Sequence, residues 1–170
     1  MPISTQTQPE AIAKLHVMVL AADPLATPGP LSRALVFAVS LLCLLIAHQL
    51  GDHVLQTDRQ AARKATGSRR AVPAMLGHLA SYHAAATVVL VGVASTLRLS
   101  LTVLGVVAGL AFSAGTHALL DLRWPVRMVL RATGASGFAD AVSPVCGMYA
   151  ADQALHQLCL LVSALLIASL

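Results

Sequence analysis

HQLGDHVLQTD, residues 48–58, follows directly on Ala34–Ala47, a run whose only polar residue is Ser40. As that run ends, His48, Asp52 and Gln56 recur at every fourth position. In an α-helix, residues four apart differ by about 40° of rotation and about 6 Å of rise, so these three side chains line one face. An apolar run that finishes in a one-faced row of ionisable and amide groups reads as a membrane helix carrying polar function at one end.

The rest of the chain agrees with that reading. Hydrophobic residues make up 57% of it and charged residues 11%, against roughly 25% charged in a soluble domain, and the mean hydropathy is +0.78. Spanning a bilayer as a helix takes about 20 apolar residues. Four runs qualify: Leu31–Leu55, Ala74–Ser95, Leu101–Leu122 and Ala150–Leu170. None shows the two-residue alternation of a barrel strand. The expected fold is all-α, a polytopic membrane protein with four transmembrane helices in an up-down bundle, forming one domain over residues 31–170. Residues 1–30 carry Pro2, Pro9, Pro24, Pro28 and Pro30 among Ser, Thr and Gln, and read as a disordered or irregular tail.

Charge placement predicts orientation. Of the eleven Lys and Arg residues, eight lie in two loops: Arg59, Arg63, Lys64, Arg69 and Arg70 between spans one and two, and Arg123, Arg127 and Arg131 between spans three and four. Basic loops stay on the cytoplasmic side during insertion. That asymmetry also accounts for the basic balance of the chain, and no aromatic-interleaved basic surface is present to indicate nucleic acid as a partner. In the second loop, Arg123, Arg127 and Arg131 recur every four residues around Met128, Val129 and Leu130, after Trp124 and Pro125. This pattern predicts a short interfacial helix between helices 3 and 4, its cations toward lipid phosphates.

With alternating helix direction, seven ionisable residues of the spans fall together at the cytoplasmic end. His48 and Asp52 end span one, His78 begins span two, His117 and Asp121 end span three, and Asp152 and His156 begin span four. The order His-x-x-x-Asp in the odd helices becomes Asp-x-x-x-His in the fourth, which runs the other way, so each pair places His deeper and Asp nearer the surface. On span three the row Gly105, Gly109, Ser113, His117, Asp121 repeats every four residues. Small residues in such a row mark a close helix contact, which turns His117 and Asp121 toward the bundle interior.

Imidazoles and carboxylates together are ligands for first-row transition metals. His48, Asp52, His78, His117, Asp121, Asp152 and His156 are therefore the expected metal ligands, for a divalent Zn, Mn or Fe ion. Asp52, Asp121 and Asp152 are the candidates for accepting a proton, and Gln56, one turn farther out, for supporting a ligand or substrate. The chemistry that fits is hydrolysis of an ester or phosphoester of an amphiphilic or phosphate-bearing substrate by water activated on the metal. Two other readings compete. His and Asp pairs also serve as interhelical glue in a non-enzymatic scaffold or partner subunit, and such groups line proton or metal-ion pathways in transporters, although transport sites usually lie nearer the midplane. A homo-oligomer is compatible with each. Cys43, Cys146 and Cys159 form no C-x-x-C motif, and no disulfide is expected.

The stretch HQLGDHVLQTDRQAARK, with GHLASYH in span two, THALLD in span three and DQALH in span four, resembles an uncharacterised bacterial integral-membrane family, domain of unknown function 3307. The resemblance covers about residues 38–168. Its most specific part is Asp52, Leu55, Gln56, Thr57 and Asp58 followed by Lys64, and His53 stands where the family usually has an aromatic residue. It implies a multi-pass protein of the bacterial inner (plasma) membrane with this residue set, and it carries no reaction.

Overall fold

The computed structural model describes residues 29–66 and 68–170. Of the tail assigned to residues 1–30, residues 1–28 lie outside the described residues. Gly29 instead caps the first helix and Pro30 occupies its first turn, where a fixed φ and a missing N–H cost nothing. This helix, α1, is Pro30–Leu50 and runs into a π-helical turn at Gly51–Leu55. The chain is extended at Gln56, and Thr57 then caps α2, Asp58–Arg63, through a reciprocal capping box with Gln60. There follow α3, Ala71–Thr96; α4, Val103–Leu120; α5, Trp124–Ala132; α6, Ser136–Asp140; and α7, Gly147–Ser169. No strand occurs among the described residues.

Four segments are long and apolar enough to cross a bilayer: Pro30–Leu55, Ala71–Thr96, Val103–Leu120 and Gly147–Ser169. The chain is thus an all-helical membrane protein, with its spans close to the expected ones. Outward-facing side chains such as Leu42, Ile46, Val88, Val107 and Leu158 are exposed, as lipid-facing residues must be in an isolated chain. The interior of the bundle is built from Val36, Cys43, Leu44, Ala47, Ala86, Leu90, Leu160, Ala164 and Ile167. Helix α7 packs along both α1 and α4, and α3 packs along α1. The seam between α3 and α4 is the loosest of the bundle.

Small residues set the helix separation. Gly105, Gly109, Ser113 and His117 are all buried on one face of α4, and a methyl group added at Gly109 would sit 2.8 Å from the Ser163 carbonyl oxygen of α7. Bilayer lipid offers no hydrophobic drive for helix association, so this close backbone approach supplies the packing. At the opposite end of that row, the C-terminal part of α1, the N-terminal part of α3, the C-terminal end of α4 and the N-terminal part of α7 meet around His48, His78, His117 and His156. Such a meeting requires the helices to alternate in direction.

Helix α5 follows a sharp turn in which Arg123 takes φ 64°, ψ −28°. Its Val126 and Leu130 are buried against Leu120 and Ala139, while Arg127 and Arg131 stay exposed. This is the amphipathic helix foreseen in the loop between the third and fourth spans. Cys43, Cys146 and Cys159 are free thiols.

Replacing Gly109 by Ala forces α4 and α7 apart and is expected to destabilise the detergent-solubilised protein by about 1–3 kcal/mol, as overpacking usually does. Gly115→Ala, where an added methyl meets nothing within 4 Å, leaves the thermal midpoint unchanged. Equal midpoints for the two variants would contradict the close α4–α7 contact.

Candidate metal centre

The π-helical turn is what carries Asp52 to the bundle axis. A wider turn advances each residue by less than the usual 100°, so the phase assumed from a regular helix no longer applies beyond Leu50. At Gly51 the absent side chain leaves the space that the ring of Tyr82 fills, which lets the broadened turn lie flush against α3. Gln56 therefore does not extend the His48 face along a helix, as its spacing predicted; it reaches the site from the extended linker. Its side-chain amide lies 3.1 Å from the ring nitrogens of His78. The amide nitrogen is the atom that faces the ring, so Gln56 donates an N–H to His78.

Four atoms converge at the centre of this end. His78 Nε2 and His117 Nε2 are 2.9 Å apart. Asp52 Oδ1 lies 3.2 Å from the first and 3.4 Å from the second, and Asp121 Oδ2 lies 3.6 Å and 3.3 Å from the same two atoms. Each residue comes from a different place in the chain: the π turn, α3, α4, and the residue that ends α4. His78 and His117 are almost wholly buried, and the Asp52 and Asp121 side chains are exposed by only 9% and 4%. His78, His117 and Asp121 form one group with ligand-type atoms mutually within 4.8 Å, and His48, Asp52 and His117 form another.

Hydrogen bonding alone does not satisfy this cluster. Asp52 Oδ1, Asp121 Oδ2 and His117 Nδ1 are buried without a hydrogen-bond partner, as are Asp152 Oδ1 and His156 Nε2. The close His–Asp approaches are not aligned as donor and acceptor. Each unsatisfied buried polar group costs about 1–3 kcal/mol, and more when charged. Lys64 donates to Asp121 Oδ1 at 2.7 Å and is itself nearly buried. Three carboxylates, Asp52, Asp121 and Asp152, line the polar cavity with two cations, Lys64 and Arg123, and among the described residues only Asp121 is directly paired with one of them.

The remaining predicted residues flank the centre. His48 is fully buried and is satisfied on both ring nitrogens: Tyr82 Oη donates to Nδ1 at 3.2 Å, and Nε2 donates to Gln153 Oε1 at 3.1 Å. Its Nδ1 is 3.7 Å from Asp52 Oδ2. His156 stacks on His48 with ring centroids 5.1 Å apart and meets the His117 ring edge-on at 4.6 Å. Its Nδ1–H donates to the Asp152 carbonyl at 2.9 Å, so its Nε2 points onward as a bare acceptor. Asp152 lies at the rim, its side chain 21% exposed. His53, which departs from the family pattern, donates to or accepts from Tyr149 Oη at 2.6 Å and stays outside the centre. Asp58 begins α2 and has no part in it.

Two participants escaped the sequence reading, and a third, Lys64, stood in the family motif without a role at the site. Tyr82 stands four residues after His78 on the buried face of α3, so the four-residue rule applied to that helix would have found it. Gln153 stands three residues before His156 on α7, about 300° around the helix, and belongs to no four-residue row. Lys64 lies beyond a helix break, and nothing local pairs it with Asp121, 57 positions away.

Above the centre a polar cavity of about 160 Å³ is lined by Asp52, Gln56, Lys64, Asp121, Arg123 and Asp152, among others. Its lining carries Asp52 and Asp121 of the cluster together with the rim residue Asp152.

Residues 40–170 match the model of the family described as a protein of unknown function, DUF3307, and the chain belongs to that family. No curated protein and no solved structure matches it. The burial of the Lys64–Asp121 pair sets an expectation that needs no knowledge of activity. In chelator-treated protein, Lys64→Met strands the Asp121 carboxylate and is expected to cost about 3–5 kcal/mol, while Lys64→Met combined with Asp121→Leu recovers most of it. Thermal unfolding in detergent measures both, and an additive double variant would show that the two groups do not interact.

Proposed function

We propose that this protein is a membrane-embedded, metal-dependent hydrolase whose centre is held by His78, His117, Asp52 and Asp121. The observation that carries the reading is the spacing of four donor atoms. Ligands about 2.0–2.1 Å from a tetrahedral ion lie about 3.3 Å from one another, and the five distances given above run from 2.9 to 3.6 Å. A dication of Zn, Mn or Fe type would engage the carboxylate oxygens left without partners. When bound, such an ion lowers the pKa of water and polarises a carbonyl or phosphoryl oxygen.

The chain's own residues divide the remaining work. Gln56 holds the tilt of the His78 ring from outside, as partners of ligating imidazoles do. Tyr82 and Gln153 hold His48, whose closed hydrogen bonding makes it a wall of the site that locks α1, α3 and α7 in register. Asp152, at the rim and with a buried oxygen free, is placed to take a proton from water entering through the polar cavity. His156 supplies a further imidazole behind His117. The basic loops at this end of the bundle favour its placement on the cytoplasmic side of a plasma membrane, so the substrate is an ester or phosphoester of an amphiphile reached from that face.

Elemental analysis of protein purified in detergent is expected to give about one equivalent of a first-row transition metal per chain. His78→Ala and His117→Ala lose it. Gln56→Leu retains the fold and binds the metal about 10- to 100-fold more weakly in a competition titration, the usual effect of removing an outer partner. Asp152→Asn keeps the metal and loses hydrolysis of a soluble phosphoester or ester probe. Wild-type protein that retains no metal and takes up none of Zn, Mn or Fe on titration would overturn the proposal in favour of a packing role for the cluster.

A further inference from the structure

The hydrolase reading leaves open what reaches the site through the membrane, and the loose seam between α3 and α4 bears on this. At the polar end of that seam lies a second cavity of about 350 Å³, whose walls include Val72, Met75, Leu76, Ala118 and Leu122. That is at the lower end of the roughly 300–1,000 Å³ range of ligand sites. Val72, Leu76 and Leu122 are also exposed at its mouth, so the cavity opens sideways toward acyl chains. Its inner end is Lys64, which also lines the polar cavity above the metal centre.

Lys64 is the second, independent observation. Its ammonium is nearly buried, with the side chain 10% exposed, and donates to Asp121 Oδ1. An ammonium has three N–H donors, and no other acceptor is found for it among the described residues. A buried cation with donors to spare, standing between an apolar groove and a polar cavity, is complementary to one chemistry: an anionic head joined to an alkyl chain. Arg123 adds a second cation to the wall of the polar cavity, and it makes no ion pair among the described residues. The left-handed backbone at Arg123, which an L-residue adopts at a cost of about 1–3 kcal/mol, marks the turn that sets it there.

We infer that the groove between α3 and α4 seats an acyl chain of a membrane lipid with a net-anionic phosphate head, as in a phosphomonoester, with Lys64 taking the phosphate at the threshold of the metal centre. This deepens the hydrolase reading by naming its substrate class and rests on it for the chemistry; the binding itself needs no turnover. The lipid enters laterally, its chain lying on Val72, Met75, Leu76, Ala118 and Leu122. The head reaches the polar cavity without leaving the membrane.

The test uses the full chain in phosphatidylcholine nanodiscs with a phosphatidic acid probe carrying a diazirine on one acyl chain. Photolabelling is expected on Val72–Leu76 and Ala118–Leu122, and excess inorganic phosphate leaves it in place because a free anion lacks the chain. Lys64→Gln is expected to lower it by about tenfold, the loss of one charge-assisted hydrogen bond. Lys64→Arg retains most of it. Ala118→Trp, which fills the groove and leaves the Lys64–Asp121 pair untouched, abolishes it even if Lys64→Gln does not fold. A phosphatidylcholine probe labelling these residues equally well, or labelling indifferent to Ala118→Trp, would overturn the inference. Metal content is measured on the same samples. Metal retained with indiscriminate labelling defeats the lipid seat alone, whereas selective labelling of protein that never holds metal supports the seat and defeats the hydrolase.

Discussion

Two carboxylates and a pair of imidazoles are held in the low-dielectric end of a helical bundle with one ammonium to balance them. Everything else at that end can be understood as a response to this constraint. Asp121 meets Lys64 at 2.7 Å, but its other oxygen and the inner oxygen of Asp52 are left facing two Nε2 atoms without aligned donors. In a membrane interior such groups are normally paired, protonated or metal-bound. Hydrogen bonding among the residues present satisfies His48 and joins His78 Nε2 to His117 Nε2, and it leaves the inner oxygens of Asp52 and Asp121 without partners. Those unpartnered carboxylate oxygens are the part of the cluster left open to a cation.

The bundle is organised to tolerate this arrangement. Close packing of α4 on α7 through Gly105, Gly109 and Ser113 draws His117 toward His156, and α7 in turn brings Gln153 against His48. On the other side, the π turn and Tyr82 set Asp52 against α3. Three tight helix contacts thus converge on the centre, and the fourth, between α3 and α4, is left loose. The loose seam is where the lateral groove lies, and Lys64 lines both that groove and the polar cavity.

The membrane class, the helix spans and the end of the bundle that carries function were legible because they depend on one-dimensional quantities. Apolar run length is set by bilayer thickness, and a four-residue repeat of Gly, Ser, His and Asp needs only the helical period to be read as one face. The reversal from His-x-x-x-Asp to Asp-x-x-x-His on α7 likewise encodes alternating direction. Resemblance of residues 48–64 to the family extended this to the residue set, and with it to Lys64, without assigning that lysine a partner.

What the linear chain could not reveal was how the ligand-type residues would sort themselves. His48 and His78 look alike in sequence, each opening or closing a span; only the fold gives His48 both Tyr82 and Gln153 and leaves His78 Nε2 directed at His117. The π-helical turn at Gly51–Leu55 departs from the regular period and so is invisible to any argument built on it, yet it decides where Asp52 points. The Lys64–Asp121 pair and the cavity shared across α2, α3 and α4 join residues far apart in the chain. Periodicity determines which face a residue occupies, because it is local; which neighbour that face meets depends on how four helices pack, and only the assembled bundle contains that information.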